Sequence, residues 1–472
     1  MKNTTVIHFL VLITLFCLTA ANPALAQKQP KRERVYQLKI TPMFPPRPAM
    51  KYRLLPSALD TVPGNAAQLY MIGATQVSTD DAFNNQIDSW LSMDISKLPR
   101  QQIDEKLSAT PIGYFFKNFD LAARREQCVW ENNYKTQGFE ALLPHLRGMR
   151  DGSRMVALKA RLQLADGDYT AALHTLQTGF ATARHLTPQS VLIQQLVGAA
   201  IARYMLDDLS EWVGSSNAPN LYWALAELPH PYLDLRDTFD QERFGLIFSF
   251  QPLRDLDKGL SVEQWQQVME KLPQMLQWDD GRSEIRKAAQ LGPAVLAIRL
   301  YPLAKKFYLD RGMAPAKVEA MPVQQILARY LVDSFQEETD EVLKWQVLPY
   351  WQSQEPTRAA EDAANRAQAK GEAGPLGWMV PAVSRARLRL VLVDRYIASL
   401  QCVEGIRAYA AIHNGNLPDS LADLTETPAP LDPVTGQPFA YEVNANVASL
   451  IAPTPAGGNP EQGWRFEISV AK

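Results

Sequence analysis

The sequence predicts a mainly α fold of stacked helical hairpins, followed by a small α+β segment at the C-terminus. Between residues 153 and 236, apolar and small residues recur every three or four positions, and short polar or proline-containing breaks separate the runs. After residue 413, turn residues alternate with short runs that are typical of strands. With 472 residues, 46% of them hydrophobic, the chain is long enough to bury one large helical core.

The N-terminus has the pattern of an export signal. Lys2 precedes an apolar run, and Ala24-Leu25-Ala26 supplies the small-x-small pattern that signal peptidase cleaves. We therefore expect residues 1–26 to be removed and the mature chain to begin near Gln27, in the periplasm or at the cell surface. An uncleaved membrane anchor is the alternative. After cleavage we expect no membrane span.

Residues 27–63 are predicted to form an extended, proline-rich segment. The run RVYQLKI alternates apolar and polar residues, as one strand does, and the prolines of PMFPPRPAM favour an extended connection. Asn65 is then a suitable cap for the first helix, AAQLYMIGATQV.

Residues 64–352 are predicted to form the helical-hairpin domain, divided into helices by prolines and by Gly152. The clearest hairpin turns at Gly167-Asp168, and an apolar stripe runs along its second helix. Neither helix can bury its apolar face alone, so neighbouring pairs must stack.

This hairpin resembles the second half of a tetratricopeptide repeat. Gly167, Tyr169 and Ala172 match the Gly-x-Tyr-x-x-Ala run that opens the second helix of that repeat. Gln163 stands where the repeat carries an aromatic residue, and Arg184 where a proline closes it. The resemblance implies a tetratricopeptide-like or α-solenoid arrangement, without a clean tandem array.

Two longer stretches resemble a family of secreted proteins from planctomycete-type bacteria. They are KYRLLPSALDTVPGNAAQLY and APNLYWALAELPHPYLDLR. The resemblance extends over most of the mature chain. It implies secretion, and it transfers no functional residues because that family carries no assigned activity.

An acidic cluster in LPHPYLDLRDTFDQER is a candidate metal site. On a helix, Asp234 and Asp237 share a face, and converging carboxylates can hold a metal. Arg236 and Arg243 are interleaved with them and would pair with the same carboxylates. We therefore favour a salt-bridged, solvated helix face over a metal site.

The catalytic inventory favours no particular reaction and implies no cofactor. The histidines form no zinc-binding helix motif, and the nucleophile-elbow, phosphate-loop and dinucleotide patterns are missing. Ser153 is a candidate nucleophile, although a serine at such a position usually caps a helix. A catalytic triad assembled from residues distant in sequence is also compatible with the sequence. Five aromatic residues could line a groove for peptide or sugar, but core packing is the favoured interpretation: Trp212, Tyr222, Trp223, Trp265 and Trp278.

Charge and cysteine content further restrict the possible partners and the possible disulfide bonds of the protein. The net charge is −2, and no basic stripe is interleaved with aromatic residues, so we expect no nucleic-acid partner. Cys128 and Cys402 are the cysteines of the mature chain. An oxidising compartment permits a disulfide between them, and the sequence leaves that pairing open.

Residues 353–377 are predicted to be a frayed helix that runs into a linker, and residues 378–472 a long helix plus a small β segment. The long helix runs from about Val383 to His413. Four arginines are expected outside its apolar stripe: Arg385, Arg387, Arg389 and Arg395.

The C-terminal segment resembles the globular end of type II secretion major pseudopilins. Asn414-Gly415 stops the helix, Asp432 to Gly436 form a turn, and a strand begins near Phe439. Because the helix is internal and begins with arginines, pilus assembly is not implied. The resemblance makes Asp432 and Glu442 candidate calcium ligands, although turn formation also explains Asp432.

These observations favour an exported, non-enzymatic protein-interaction or scaffold protein with a protein partner. The hypothesis depends partly on analogy with helical-repeat binders. A hydrolase with a site assembled across the helices is the alternative, and a peptide- or sugar-binding module is the third.

Overall fold

The computed structural model describes residues 33–76, 81–188, 190–258, 291–370, 373–376 and 382–471, with single positions between 260 and 270. The predicted signal segment 1–26, Trp265 and Trp278 lie outside these residues.

The helices of the described chain are α1 (Ala66–Thr75), α2 (Asp81–Leu91), α3 (Arg100–Leu107), α4 (Thr110–Ala123), α5 (Tyr134–Gln137), α6 (His145–Ala165), α7 (Tyr169–Arg184), α8 (Leu192–Gly214), α9 (Tyr222–Ala226), α10 (Phe239–Ser249), α11 (Pro293–Asp310), α12 (Pro315–Ala320), α13 (Val323–Leu343), α14 (Tyr350–Lys370) and α15 (Ala382–Ile412).

The strands are β1 (Arg34–Ile40), β2 (Val62–Asn65), β3 (Arg125–Gln127), β4 (Ala440–Asn444), β5 (Val447–Ala452) and β6 (Trp464–Val470). The fold is therefore mainly α with a small C-terminal sheet, as predicted. Among the helices of the described ranges, none is both long and apolar enough to cross a membrane.

The chain divides into two compact units, each built from separate stretches of sequence. The helical unit contains Glu131–Leu143 and Thr238–Ala386. The mixed unit contains Ala26–Trp130, Pro144–Asp237 and Arg387–Lys472. This division cuts across the predicted domains 64–352 and 378–472, because the C-terminal segment folds with the first hairpins.

Local sequence determines the central hairpin of the mixed unit. Gly167 has a positive φ of 75°, which glycine adopts without strain, and it ends α6. The carboxylate of Asp168 then accepts a hydrogen bond from the Ala171 amide and caps α7. The predicted hairpin is confirmed, and the predicted cap at Asn65 is also confirmed, since its side chain accepts from the Ala67 amide at 3.1 Å.

A four-stranded sheet joins the two ends of the mixed unit in the order β1-β6-β5-β4. The predicted strand RVYQLKI is β1, and it runs parallel to β6, with Arg34 opposite Trp464 and Ile40 opposite Val470. The remaining neighbours are antiparallel. Alternate residues of β5 and β6 are buried, as expected for a sheet with one face on the core.

The long helix α15 departs from the predicted amphipathic pattern. From Val391 to Ala408 most of its residues are buried, and Arg395, expected outside the stripe, is 0% exposed. The prediction for Arg395 was wrong because its guanidinium group pairs with Asp432, which is 1% exposed. Arg407 pairs in the same way with the buried Glu404.

The helical unit has a core of its own. Leu296 and Leu300 of α11 and Ile326 and Leu331 of α13 belong to one buried apolar cluster. The predicted frayed helix before the linker is α14, which extends to Lys370. Ser261 forms a capping box with Gln264: the Ser261 amide donates to Gln264 Oε1 at 2.8 Å, and the Gln264 amide donates to Ser261 Oγ at 3.3 Å.

Candidate functional site

A cleft of about 430 Å³ lies between α1, α4 and α6 of the mixed unit. Its volume falls in the range of small-ligand pockets, roughly 300–1,000 Å³. Residues of three helices and the preceding proline line it: Met71, Ala74, Thr75, Phe115, Pro144, His145, Arg147, Gly148, Asp151, Gly152 and Met155. We refer to this site as the α6 cleft.

Two glycines one helical turn apart bring the neighbouring helices close to α6. A Cβ atom at Gly148 would lie 2.8 Å from Ala74 Cβ, and one at Gly152 would lie 2.7 Å from Phe119 Cζ. Both distances are shorter than van der Waals contact. The absence of side chains at these positions therefore lets α1 and α4 approach α6 closely.

The role predicted for Gly152 and Ser153 was wrong. α6 begins at His145 and continues through both residues, so Gly152 does not break a helix and Ser153 does not cap one. Ser153 is fully buried, and its hydroxyl has no hydrogen-bond partner in the part of the chain that the structure describes. It does not line the α6 cleft. Gly152 is needed because the Phe115 and Phe119 side chains pack directly against it. The sequence pattern alone cannot distinguish this requirement from the end of a helix.

His145 lies at one end of the cleft as the first residue of α6. It is 6% exposed, and its ring stacks on Trp130 with the centroids 4.3 Å apart. Its Nε2 is 3.5 Å from the amide nitrogen of Gln194. Burial lowers the pKa of His145 to about 4, because the cationic form loses hydration that nothing nearby replaces. The imidazole is therefore neutral at pH 7.

Asp151 is surrounded by guanidinium groups. It is 4% exposed, and its carboxylate lies 3.5 Å from Arg147, 3.3 Å from Arg150 and 3.8 Å from Arg154. Arg154 also pairs with Asp88. The Arg147 side chain is 71% exposed, so the rim of the cleft presents a guanidinium group beside the buried carboxylate of Asp151.

An apolar surface adjoins the cleft. Met71 and Ile72 of α1 are 40% and 49% exposed, whereas Phe115 and Met155 inside the cleft are buried. The arrangement suits an apolar group laid against Met71 and Ala74 and an anionic group paired with Arg147. Sequence reasoning missed this site. Its one local signal was the pair of glycines four residues apart in a run that is otherwise helical.

The candidate metal ligands are engaged in other contacts. Asp234 accepts from the amide and from the Nε of Arg236, both at 2.9 Å, which is the predicted salt-bridged arrangement. Burial raises the pKa of Asp237, with a further contribution from Asp234. Arg243 lies in the helical unit and pairs with Asp340 at 2.8 Å, so its predicted pairing with Asp234 and Asp237 was wrong.

The turn residue Asp432 is an ion-pair partner. Its Oδ2 accepts from Arg395 Nη2 at 2.7 Å and Nε at 3.1 Å, and its Oδ1 accepts from the Val434 amide at 2.8 Å. Glu442 is exposed on β4. Within the described ranges, His, Cys, Asp and Glu side chains form no group of three that could hold a metal.

Both cysteines are free thiols, so the disulfide that the sequence left open is not formed. Cys128 and Cys402 are 4% and 0% exposed. Burial raises the pKa of Cys128 to about 12 and also raises that of Cys402.

The described aromatic residues support core packing over a groove. Trp212 is fully buried and donates to the Pro219 carbonyl at 2.8 Å, and Tyr222 is 3% exposed. Trp223 is half-buried and meets Tyr222 edge to face, with the ring centroids 4.9 Å apart. These rings stabilise the helix packing.

Comparison with known proteins gives no relative. No family model matches the chain, and neither a curated protein nor a solved structure matches it. The resemblances to tetratricopeptide repeats, to the planctomycete-type family and to pseudopilins therefore stay predictions.

Proposed function

We propose that this chain is an exported interaction protein that binds a segment of a protein partner in the α6 cleft. The observation that carries the proposal is the cleft itself, whose lining contains both the exposed apolar side chain of Met71 and the exposed guanidinium group of Arg147. Export is inferred from the small-x-small pattern that ends at Ala26.

The chemistry of the cleft indicates the kind of segment it would hold. A large apolar side chain would contact Met71 and Ala74, and a neighbouring carboxylate would pair with Arg147. Asp151 and His145 fit a binding role better than a catalytic one. The Asp151 carboxylate is already paired with arginine side chains, and the neutral His145 ring is stacked on Trp130. The exposed Met71 and Ile72 extend the apolar contact beyond the cleft.

A cleft-filling variant tests the proposal. Thr75 lies on the exposed side of the lining, and its hydroxyl donates to the Ile72 carbonyl of its own helix at 2.8 Å. Thr75→Trp should therefore fill the cleft without disturbing the core. Leu121→Trp is the matched control, because it adds the same ring at an exposed position of α4 that does not line the cleft.

The assay is a pull-down from the envelope extract of the source cells with the mature protein as bait. Wild type and Leu121→Trp should retain one stoichiometric protein, and Thr75→Trp should lose it while keeping the wild-type circular dichroism spectrum. Arg147→Glu should weaken retention by about tenfold or less, as expected for one exposed charge pair. Equal retention by Thr75→Trp, or retention of no protein by folded wild type, would refute the proposal.

A further inference from the structure

The outer strand of the C-terminal sheet has a free edge. In the order β1-β6-β5-β4, only β1 and β4 lie at the margins. β1 contacts helix α8, whereas β4 is exposed at Ala440, Glu442 and Asn444 and half-buried at Tyr441 and Val443. An unpaired edge offers a row of backbone donors and acceptors to another strand.

The register identifies which backbone groups face outward. Asn444 pairs with Val447 across a two-residue turn, and the pairing continues one-to-one to Ala440 opposite Ile451. The pair that flanks such a turn exchanges backbone hydrogen bonds, so residues 440, 442 and 444 bond to β5. Tyr441 and Val443 therefore direct their amides and carbonyls away from the sheet. In the described chain, no backbone hydrogen bond beyond the sheet uses these four groups.

The edge lacks the protective features that many natural edge strands carry. Its pairing shows no bulge, and its sequence AYEVN contains neither proline nor lysine. Its one charged residue, Glu442, points to the exposed face.

The surroundings of this edge are acidic. The stretch from Ala408 to Trp464 contains no lysine or arginine but six carboxylates: Asp419, Asp423, Glu426, Asp432, Glu442 and Glu461. Of these, Glu461 belongs to a short helix that contacts β1, at the opposite margin of the sheet. Asp432 is neutralised by Arg395. Asp419 and Asp423 are exposed and act electrostatically on Tyr441, the central residue of the free edge. A partner strand with basic side chains would therefore be attracted, and an acidic one repelled.

We propose that the outer edge of β4 binds an extended, lysine- or arginine-rich segment of a partner protein as a fifth strand. Basic side chains at alternate positions would lie on the face of Glu442, and β-branched residues between them would lie beside Tyr441 and Val443. This surface is separate from the lining of the α6 cleft and does not depend on the function proposed for it.

The probe is a fluorescent peptide of about ten residues in which valine and lysine alternate, a length that covers one ordinary strand. Binding to the full mature chain is followed by fluorescence anisotropy. A peptide in which glutamate replaces lysine tests the charge. A valine–lysine peptide with N-methyl groups on alternate amides tests the backbone pairing, because it keeps the side chains and removes the donors.

Variants of the protein test the same edge. Val443→Pro removes one outward amide, a change that edge strands tolerate, and Val443→Thr is the matched control that keeps it. We expect Val443→Pro to weaken peptide binding about tenfold and Val443→Thr to leave it unchanged. Glu442→Lys should also weaken binding. Thr75→Trp, which fills the α6 cleft, should bind the peptide as wild type does. The proposal for the β4 edge and the proposal for the α6 cleft are therefore tested independently.

Several results would overturn the proposal. The first is equal binding of the lysine and glutamate peptides, and the second is equal binding of the methylated and unmethylated peptides to wild type. The peptide comparison remains decisive if Val443→Pro fails to fold. A concentration-dependent dimer in sedimentation that Val443→Pro abolishes would also overturn it, because the edge would then pair with a second copy of this chain.

Discussion

Replacing Asp432 with asparagine should destabilise the protein by about 3–5 kcal/mol, because it removes the negative charge that is paired with the buried guanidinium group of Arg395. The substitution keeps the shape of the side chain and removes only its charge. Arg395 and Asp432 are 0% and 1% exposed, so water cannot replace the carboxylate.

The hydrogen bonds between Arg395 and Asp432 give a similar estimate of the loss in the free energy of unfolding. Two hydrogen bonds at 2.7 Å and 3.1 Å join the guanidinium group to Asp432 Oδ2. Hydrogen bonds to charged groups contribute roughly 1.5–3 kcal/mol each, and two of them amount to about 3–6 kcal/mol. Arg395 also donates to the Pro453 carbonyl at 2.6 Å and lies over the Trp464 ring, and these contacts hold it in place when the charge is lost.

Guanidinium chloride unfolding followed by circular dichroism measures the change in the free energy of unfolding. Glu442→Gln is the control, since an exposed carboxylate should change it by less than about 0.5 kcal/mol. The double variant Arg395→Met/Asp432→Asn should recover part of the loss, because no uncompensated charge stays buried. A loss below about 1 kcal/mol for Asp432→Asn would refute the argument. Stabilisation of wild type by calcium that this variant abolishes would instead identify Asp432 as a ligand.

Three further predictions concern glycine, histidine and cysteine. Gly152→Ala should destabilise the protein by about 1–3 kcal/mol in the same unfolding assay, because its Cβ would lie 2.7 Å from Phe119, whereas Gly113→Ala, with no atom within 4 Å, should be neutral or stabilising. His145 and His185 are buried in the neutral form with pKa values of about 4, so the unfolded chain binds more protons below its own pKa of about 6.5. The contribution of each histidine to the free energy of unfolding should therefore be constant above pH 6.5 and fall by on the order of 3 kcal/mol towards pH 4. Asp394, whose pKa burial raises to about 7, acts in the opposite direction over this range. The test is therefore the stability difference between wild type and His145→Gln in melting curves, which should fall on acidification; a difference that does not change with pH would contradict the assignment. Cys128 and Cys402 should react with a thiol reagent only after denaturation, and a reductant should leave the melting temperature unchanged; rapid labelling of the folded protein would show that the thiols are accessible.

Features that depend on neighbouring residues were predictable from the sequence. Asn65 caps its helix as predicted, and Gly167-Asp168 form the predicted break between two helices. Asp168 additionally caps the second helix, which was not predicted. The strand at 34–40 was predicted because alternation is a local pattern. Its partner was not predicted, because Gln37 and Glu467 lie 430 residues apart.

Features that depend on distant contacts were missed or misassigned. A glycine such as Gly152 often marks the end of a helix. Its place inside a helix is explained by the close packing of the Phe115 and Phe119 rings against it. Arg395 was placed on an exposed face because a charged residue usually lies there, and its partner Asp432 lies on a turn beyond the helix. The α6 cleft arises from the same long-range packing, so its residues carried no motif.

The parallel pairing of β1 with β6 has a consequence for biogenesis. Residues 34–40 are synthesised long before their neighbours at 464–470. The sheet of the mixed unit therefore cannot close until residues 464–470 have emerged from the ribosome. Such long-range pairing slows folding. A chain that is still unfolded is also the form that can pass through a narrow translocation channel, so this topology is compatible with the proposed export.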